Sequence, residues 1–537
     1  MRNILKYSLA LGAAVSVIAT GCIKETFPTG SSIDPDQALN SPTVLESMVS
    51  GIHSYAATAN WSTSDIHAVY GYPSMCMMRE VMSNDMATVD SSRDHYQSFA
   101  QNQYMNGVYT NLQLIWLVYT KIVALSNDVI RLAGDPETLR DDAKPYLGAA
   151  HAYRALAWLD MARMYEYKEC VGTSAPELIG LTIPYLHENM TEDFARNNPR
   201  LTKEAIIGHI KESLDIAIEL LDGFESPTKT IPTKAVAYGL LARTLLWEGD
   251  YENAKIAAQD ALNAGSYTPL TKEQWTDTAT GFNTLQPSWM LAIRLTSEDS
   301  VVKTYIINWT SWMSSETSFG YNGNNGGVYR MADARFYSEI PDTDWRKLSW
   351  KAPAGSSLEV PVLPASGSYS GISKAPELTA VKFRPGQGNS NDPLTGAATD
   401  FPMMRMEEMK FIIAECDARL NNSADALIDI VKTRNPEYTT SLTGTSLVRE
   451  VFFQKRIEFW GEGIMFFDYK RCPDILQINR GYTGTNHIES ARFNINGLAP
   501  WFNVCINGYE AEDNKALTDT NNPDPSGTVD GYLWDGK

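Results

Sequence analysis

Residues 234–263, KAVAYGLLARTLLWEGDYENAKIAAQDALN, constrain the fold more than any other stretch, because they predict two helices hinged at Glu248, Gly249 and Asp250. Ala254, Ala258 and Ala261 let the second helix approach a neighbour closely, and Tyr251 fills the gap at the turn. Helical periodicity recurs elsewhere. Between Tyr146 and Tyr165, the residues Ala150, Tyr153, Ala157, Met161 and Met164 repeat at three and four positions, one face of a helix. A further helix is predicted from about Thr202 to Leu221, stopped by Asp222 and Gly223. A second helix pair spans residues 403–434, hinged at Asn421 to Ser423, with Ser423 as its N-cap.

The 234–263 pair resembles a tetratricopeptide repeat, in its GDYENA hinge and the small-residue helix that closes on Ala261 and Leu262. Residues 264–402 separate it from the second pair, so no regular solenoid is expected. The intervening segment, about 266–400, is rich in Gly, Ser, Thr, Pro and Trp, has short strand-like runs such as Val301 to Trp309, and lacks helical period. The expected fold class is therefore α: a helical repeat frame at about 102–265 and 401–470, carrying a loop-rich, mostly irregular insertion.

The amino terminus reads as an export signal. Arg2 and Lys6 precede an apolar run from Tyr7 to Ile18, then Ala19, Thr20 and Gly21, and then Cys22. That run is shorter than the roughly 20 residues a membrane span needs. Residues 1–21 are read as a lipoprotein signal peptide, Cys22 as the lipidated residue, residues 22–35 as a polar tether and 36–537 as the body. A multiply acylated Cys22 would hold the body stably on a membrane. The net charge of −19 argues against nucleic acid or an anionic lipid surface as partner. The remaining five cysteines have no CxxC spacing and are read as mostly buried thiols. With 13 Trp and 26 Tyr, the chain has more rings than a core alone demands, so some should face a ligand or partner.

Four segments together resemble the SusD/RagB family of surface nutrient-binding lipoproteins. They are GAAHAYRALAWLDMARMYE (148–166) with Arg154 and Ala155; IPTKAVAYGLLARTLLWEGDYENAKIAAQDAL (231–262); MRMEEMKFIIAECDARL (404–420) with Arg405, Glu408, Ala414 and Glu415; and QKRIEFWGEGIMFFDYKRC (454–472) with Arg456, Glu458, Phe459, Gly461, Glu462, Gly463, Asp468 and Arg471. The resemblance implies a body exposed on the outer surface of a Bacteroidetes-type cell, anchored in the outer membrane by Cys22. It also implies that the body caps a TonB-dependent, SusC-like barrel as a hinged lid and delivers captured oligosaccharide to it. Lys24 and Glu25, directly after the lipid site, agree with surface exposure. Peptide capture by the same kind of import system and a repeat scaffold for surface enzymes are the alternatives.

Glu458, Glu462 and Asp468 form a carboxylate cluster of the kind glycosidases use, yet Arg456, Lys470 and Arg471 stand close in sequence. Paired charges predict a structural ion network, and nearby arginines oppose the raised pKa that a general acid needs. The seven His show no HExxH spacing, and no GxSxG, Walker or dinucleotide motif occurs. The acidic tail 519–531 places Pro523 and Asp524 where an EF-hand needs a ligand and its glycine, and is read as a solvated loop. No catalytic residue, metal or cofactor is expected.

Binding remains. Sugar rings present flat C–H faces that stack on aromatic side chains, and their hydroxyls need polar side chains to replace bonds to water. Two insertions combine both types: residues 60–96, with Trp61, Asp65, Tyr70, Tyr72, Arg79, Asn84, Asp85 and Asp90, and residues 305–337, with Trp309, Trp312, Tyr321, Asn322, Asn324, Tyr329 and Arg330. Both are expected to line one shallow site, with Trp61, Asp65, Tyr72, Asp85, Trp309, Trp312, Tyr321 and Tyr329 as ligand-binding residues. Core packing is the competing fate of each ring. Trp116, Trp158, Trp247 and Trp460 lie on helical stripes and are expected in the core.

Overall fold

The computed structural model describes residues 42–59, 67–324 and 326–536. The signal segment, Cys22, the tether, Trp61 and Asp65 lie outside them. The principal helices are α1 (Pro42–Thr58), α2 (Tyr72–Met82), α3 (Thr110–Ala133), α4 (Lys144–Tyr165), α5 (Lys203–Leu220), α6 (Lys234–Glu248), α7 (Tyr251–Asn263), α8 (Met406–Leu420), α9 (Asp425–Lys432), α10 (Gly444–Phe459) and α11 (Met465–Arg471). The strands are short: β1 (Met86–Thr88), β2 (Leu181–Pro184), β3 (Arg200–Thr202), β4 (Trp289–Ile293), β5 (Arg330–Ala332), β6 (Phe401–Arg405), β7 (Ile478–Asn479) and β8 (Asn494–Ile495). They pair as four antiparallel ribbons, β1–β5, β2–β3, β4–β6 and β7–β8.

The helices stack in succession. α1 packs on α3, α3 on α4, α4 on α5, α5 on α6, α6 on α7 and α7 on α8, with α8 covered by α9 and α10. α4 is buried on every side from Leu147 to Tyr165, which explains why alanines alternate along it with large residues. The hinge forms as its residues dictate. Gly249 ends α6 at φ 97°, a left-handed conformation that a Cβ disfavours, and the Asp250 carboxylate caps α7 by accepting the Asn253 N–H at 3.1 Å. Thr202 caps α5 the same way through the Ala205 N–H.

The two segments of the helical frame meet across the long insertion: β4 pairs with β6, Ile293 opposite Phe401 and Trp289 opposite Arg405, and this ribbon returns the chain directly into α8, beside α7. Two expectations are corrected. Val301 to Trp309 is not a strand but begins as a helical turn, Ser300–Lys303, closed by Thr304 Oγ1 on the Val301 carbonyl at 2.6 Å; Asn308 then caps a second short helix, Trp309–Met313. β-Branched content suggested strand there, and local side-chain bonds to the backbone override it. Ser423 accepts the Asp425 N–H at 3.2 Å, a turn one residue ahead of the cap position, which Ala424 occupies.

Beneath the repeats lies a dense ionic core. Glu458 accepts from Arg346 at 3.2 Å, Arg405 at 3.1 Å and Arg434 at 3.0 Å, and Glu462 from Lys382 at 2.7 Å and Arg405 at 2.9 Å. Within the 454–472 segment Asp468 pairs with Arg471 at 2.7 Å and with Lys455; Arg456 instead holds Asp85. The cluster is therefore ion-paired, as its charges predict, but most of its partners come from other elements. Trp116, Trp158, Trp247 and Trp460 are all buried, and the five described cysteines are free thiols.

Candidate functional site

The two ring-bearing insertions meet. β1 belongs to the first and β5 to the second, and their register sets Met86 opposite Ala332, Ala87 opposite Met331 and Thr88 opposite Arg330. At the Thr88–Arg330 end the two chains diverge around a ring cluster. Its base is the fully buried Arg330, whose guanidinium donates to both oxygens of Asp94 at 2.6 and 2.8 Å and lies over the rings of Tyr96 and Trp312 at 5.6 and 5.7 Å. Such a planar, bidentate pair is rigid and fixes whatever packs on it. Tyr96 is anchored in turn, its hydroxyl donating to the Ala68 carbonyl at 3.0 Å.

Trp312 is the middle layer. The Asn308-capped short helix points it inward, where its indole N–H donates to the His67 carbonyl at 3.0 Å and its edge meets Tyr96. Tyr321 lies flat on it, centroids 4.0 Å apart and planes within 6°. The Tyr321 backbone is pinned by its N–H on the Ser311 carbonyl at 2.9 Å and by the Val328 N–H donating to its own carbonyl at 2.8 Å. His67 stacks on His95 at 5.1 Å, His95 abuts Tyr321 edge-on at 5.6 Å, and His67 Nδ1 is hydrogen-bonded to the Tyr321 hydroxyl. Tyr321, His67 and His95 are half-buried, so they form the outer layer, with Arg93 exposed beside them. Partial burial raises the Tyr321 phenol above its ordinary pKa, so it remains a neutral donor and stacking plane at neutral pH.

The other expected ligand residues are placed differently. Trp312 itself is 0 % exposed and supports the outer rings rather than facing outward. Trp309, three residues earlier on the same short helix, is 2 % exposed and packs edge-on against Phe383 and Phe401 at 5.0 and 4.6 Å, a core ring. Tyr72 is buried on α2, its hydroxyl donating to Asp160 at 2.9 Å within the ionic core. Asp85 is buried and spent on the Arg456 guanidinium, and its carbonyl accepts from the Trp460 indole at 2.9 Å. Tyr329 is nearly buried, beside Arg330 in the chain entering β5. His67, Asp94 and His95 belong to the same face although a search for Trp and Tyr among short polar side chains does not mark them; the signal for them is their place in the first insertion.

A cavity of about 840 Å3 opens elsewhere, between α1, α3 and the 186–198 segment, lined by Leu117, Val123, Leu186, Met190 and Ala195. Its amides are already committed: Asn127 Nδ2 to the Leu186 carbonyl, Asn198 Nδ2 to that of Tyr185 and Asn514 Nδ2 to that of Asn198. Lys121, Glu192, Arg196, Glu510 and Asp513 also line it, but among the described residues Tyr55 is its one ring, so it offers a sugar face little to stack on and its volume does not outweigh the ring face.

The carboxylates of the ionic core are poor general acids. Burial would raise the pKa of Glu458, but Arg434, Arg405 and Arg346 overcome it and hold that carboxyl well below the usual carboxylate range. Cavities of about 20 and 30 Å3 adjoin this core, room for single water molecules and not for a sugar ring.

Residues 263–524 match a family model described as the SusD family, and residues 29–246 match one described as starch-binding associating with outer membrane. No curated protein matches the sequence significantly. Among solved structures, a SusD-like carbohydrate binding protein from Bacteroides vulgatus superposes with a TM-score of 0.69 at 18% identity, covering 90% of this chain and 98% of that one. A SusD superfamily protein from Bacteroides thetaiotaomicron gives 0.66 at 17%, covering 90% and 100%. Surface glycan-binding protein A from Bacteroides thetaiotaomicron gives 0.64 at 16%, covering 90% and 99%. At such identities these likenesses concern the fold.

Proposed function

The chain belongs to the SusD family, and from that premise we propose that it is a glycan-binding lipoprotein of the outer-membrane surface, holding an oligosaccharide against Tyr321, His67 and His95. One observation carries the reading: β1 and β5 join two insertions far apart in sequence so that their rings share one half-exposed face on a rigid Arg330–Asp94 base. A pyranose C–H face laid on the Tyr321 ring contributes about 1 kcal/mol, and each hydroxyl that finds a partner contributes a similar net amount, so affinity is modest and additive along a chain. The sugar class agrees with relatives named as carbohydrate-binding and glycan-binding.

Acyl chains on Cys22 tether the body, and the captured glycan passes to a SusC-like TonB-dependent transporter for import. The chain breaks no bond itself, since its carboxylate cluster is committed to guanidinium and ammonium partners. A glycan array probed with the purified protein tests the reading. Retention of a defined oligosaccharide, weakened by Tyr321→Ala, supports it. Retention of peptides with no saccharide bound contradicts it.

A further inference from the structure

A second, chemically different cavity lies on the helical frame. It measures about 190 Å3 and is lined by Arg163, Glu166, Lys168, Lys203, Trp247 and Lys470, among others, where the C-terminal ends of α4 and α11 converge near the α6–α7 hinge. We propose that this cavity binds a small oxyanion, a sulfate or carboxylate group, either free or carried on a single sugar ring.

The argument starts from charge. Across the whole chain, acidic residues outnumber basic ones by 64 to 45, yet here three lysines surround one carboxylate. The Lys470 ammonium donates to the Met164 carbonyl at 2.9 Å and the Glu166 carbonyl at 2.5 Å, and Lys168 donates to the carbonyls of Lys470 and Arg471 at 3.0 and 3.5 Å. Each ammonium has three N–H groups, so each retains a donor. Lys203 stands 3.8 Å from Glu166, beyond hydrogen-bond reach, with its ammonium 5.1 Å from the centroid of Trp247. Glu166 spends its other oxygen on the Trp247 indole N–H at 3.0 Å. The two arginines on the walls are already paired, Arg163 with Asp160 at 2.6 Å, which Arg79 shares, and Arg471 with Glu415 at 2.7 Å, which Arg419 shares.

With Lys470 protonated, as it is below about pH 7, three ammonium groups against one carboxylate leave two formal positive charges; the carbonyls ending α4 and α11 offset about half a charge each, so the cavity is positive there. Arg200, whose guanidinium donates to the Tyr165 carbonyl at 2.6 Å, adds a further cation nearby. Burial, with Lys168 and Arg200 adding to it against the pull of Glu166, pushes the Lys470 ammonium down to about 7, the condition of a cation short of a counter-ion. Trp247 and Tyr251 supply ring walls, and the volume suits one small ring or a bare anion.

Titration calorimetry of the full protein at constant ionic strength in chloride, with sodium sulfate, glucuronate and glucose as probes, tests the inference. Saturable binding of sulfate, or of glucuronate well above glucose, is expected, weakened at least fivefold in Lys203→Ala and in Lys168→Ala. Lys203 is 25 % exposed in the first turn of α5, so its alanine variant should fold, and an unchanged melting temperature checks that. Sulfate bound as tightly as glucuronate identifies a free anion as sufficient; glucuronate bound tighter than sulfate and glucose identifies an acidic sugar. No saturable heat with any probe, glucuronate bound no better than glucose with sulfate unbound, or binding unchanged in both variants overturns it. The lysine variants give this answer whether or not an oligosaccharide binds at Tyr321.

Discussion

Replacing Trp312 and Tyr321 one at a time separates the support of the ring face from the face itself. Trp312 is fully buried, and truncating a buried Trp to Ala costs ~3 to 5 kcal/mol. Loss of its hydrogen bond to the His67 carbonyl adds about 1 kcal/mol. An unfolding entropy of roughly 2 cal/mol/K per residue over 537 residues is about 1.1 kcal/mol/K, so Trp312→Ala should lower Tm by ~4 to 5 °C. Tyr321 is half-buried and stacks on Trp312 from outside, so its removal should cost little stability but take away the plane a sugar would use. Loss of ~1 to 2 kcal/mol of stacking weakens binding about 5- to 30-fold. Calorimetric titration of an array-selected oligosaccharide, alongside thermal melts, reads both. The reasoning fails if Trp312→Ala melts like the parent, or if Tyr321→Ala binds as the parent does.

Three further outcomes follow from the same physics. Glu458→Gln removes the shared anion of three buried arginines and should destabilise the fold by ~3 to 5 kcal/mol in urea titrations without creating or abolishing glycan hydrolysis; a neutral effect on stability would contradict the structural role. Burial alone would raise the Glu415 pKa, but Arg471, Lys455 and Arg419 lower it to about 2, so the stability it contributes is present above its ordinary value near 4.5 and lost as pH falls from there toward 2. That loss, about 3 kcal/mol, should be reduced in Glu415→Gln, and an identical acid profile for the two proteins would refute the assignment. Cys22→Ala should release the body from membranes while leaving its melting curve unchanged; a variant still pelleting after its transporter is deleted would end the lipid assignment.

The helical frame was legible where side-chain spacing carried it. The Glu248–Gly249–Asp250 hinge needs a left-handed residue followed by a cap, and the sequence supplies both in order. What spacing could not convey was the return of the chain after the long insertion, because the β4–β6 ribbon is a contact between residues more than a hundred positions apart. The ionic core shows the same limit. Charges near each other in the 454–472 segment suggested local pairs, whereas Glu458 takes its partners from Arg346, Arg405 and Arg434 on other elements. At the candidate site, composition pointed to two insertions and the structure joins them, but it did not tell Trp309 from Trp312. A five-residue helix has too little period to orient its faces, and only the Phe383 and Phe401 rings on one side and Tyr321 on the other decide which indole is core and which is support. Composition that points to Trp and Tyr does not point to His67 and His95, whose imidazoles complete the outer layer.

The central claim is that a saccharide lies on the face where the two insertions meet. Crystals of the protein grown with an array-selected oligosaccharide test it most directly. A pyranose ring stacked on Tyr321, with hydroxyls within hydrogen-bond distance of His67, His95 or Arg93, is the expected result. A saccharide bound instead in the cavity beside Leu117 and Met190, with the Tyr321 face empty, would contradict it.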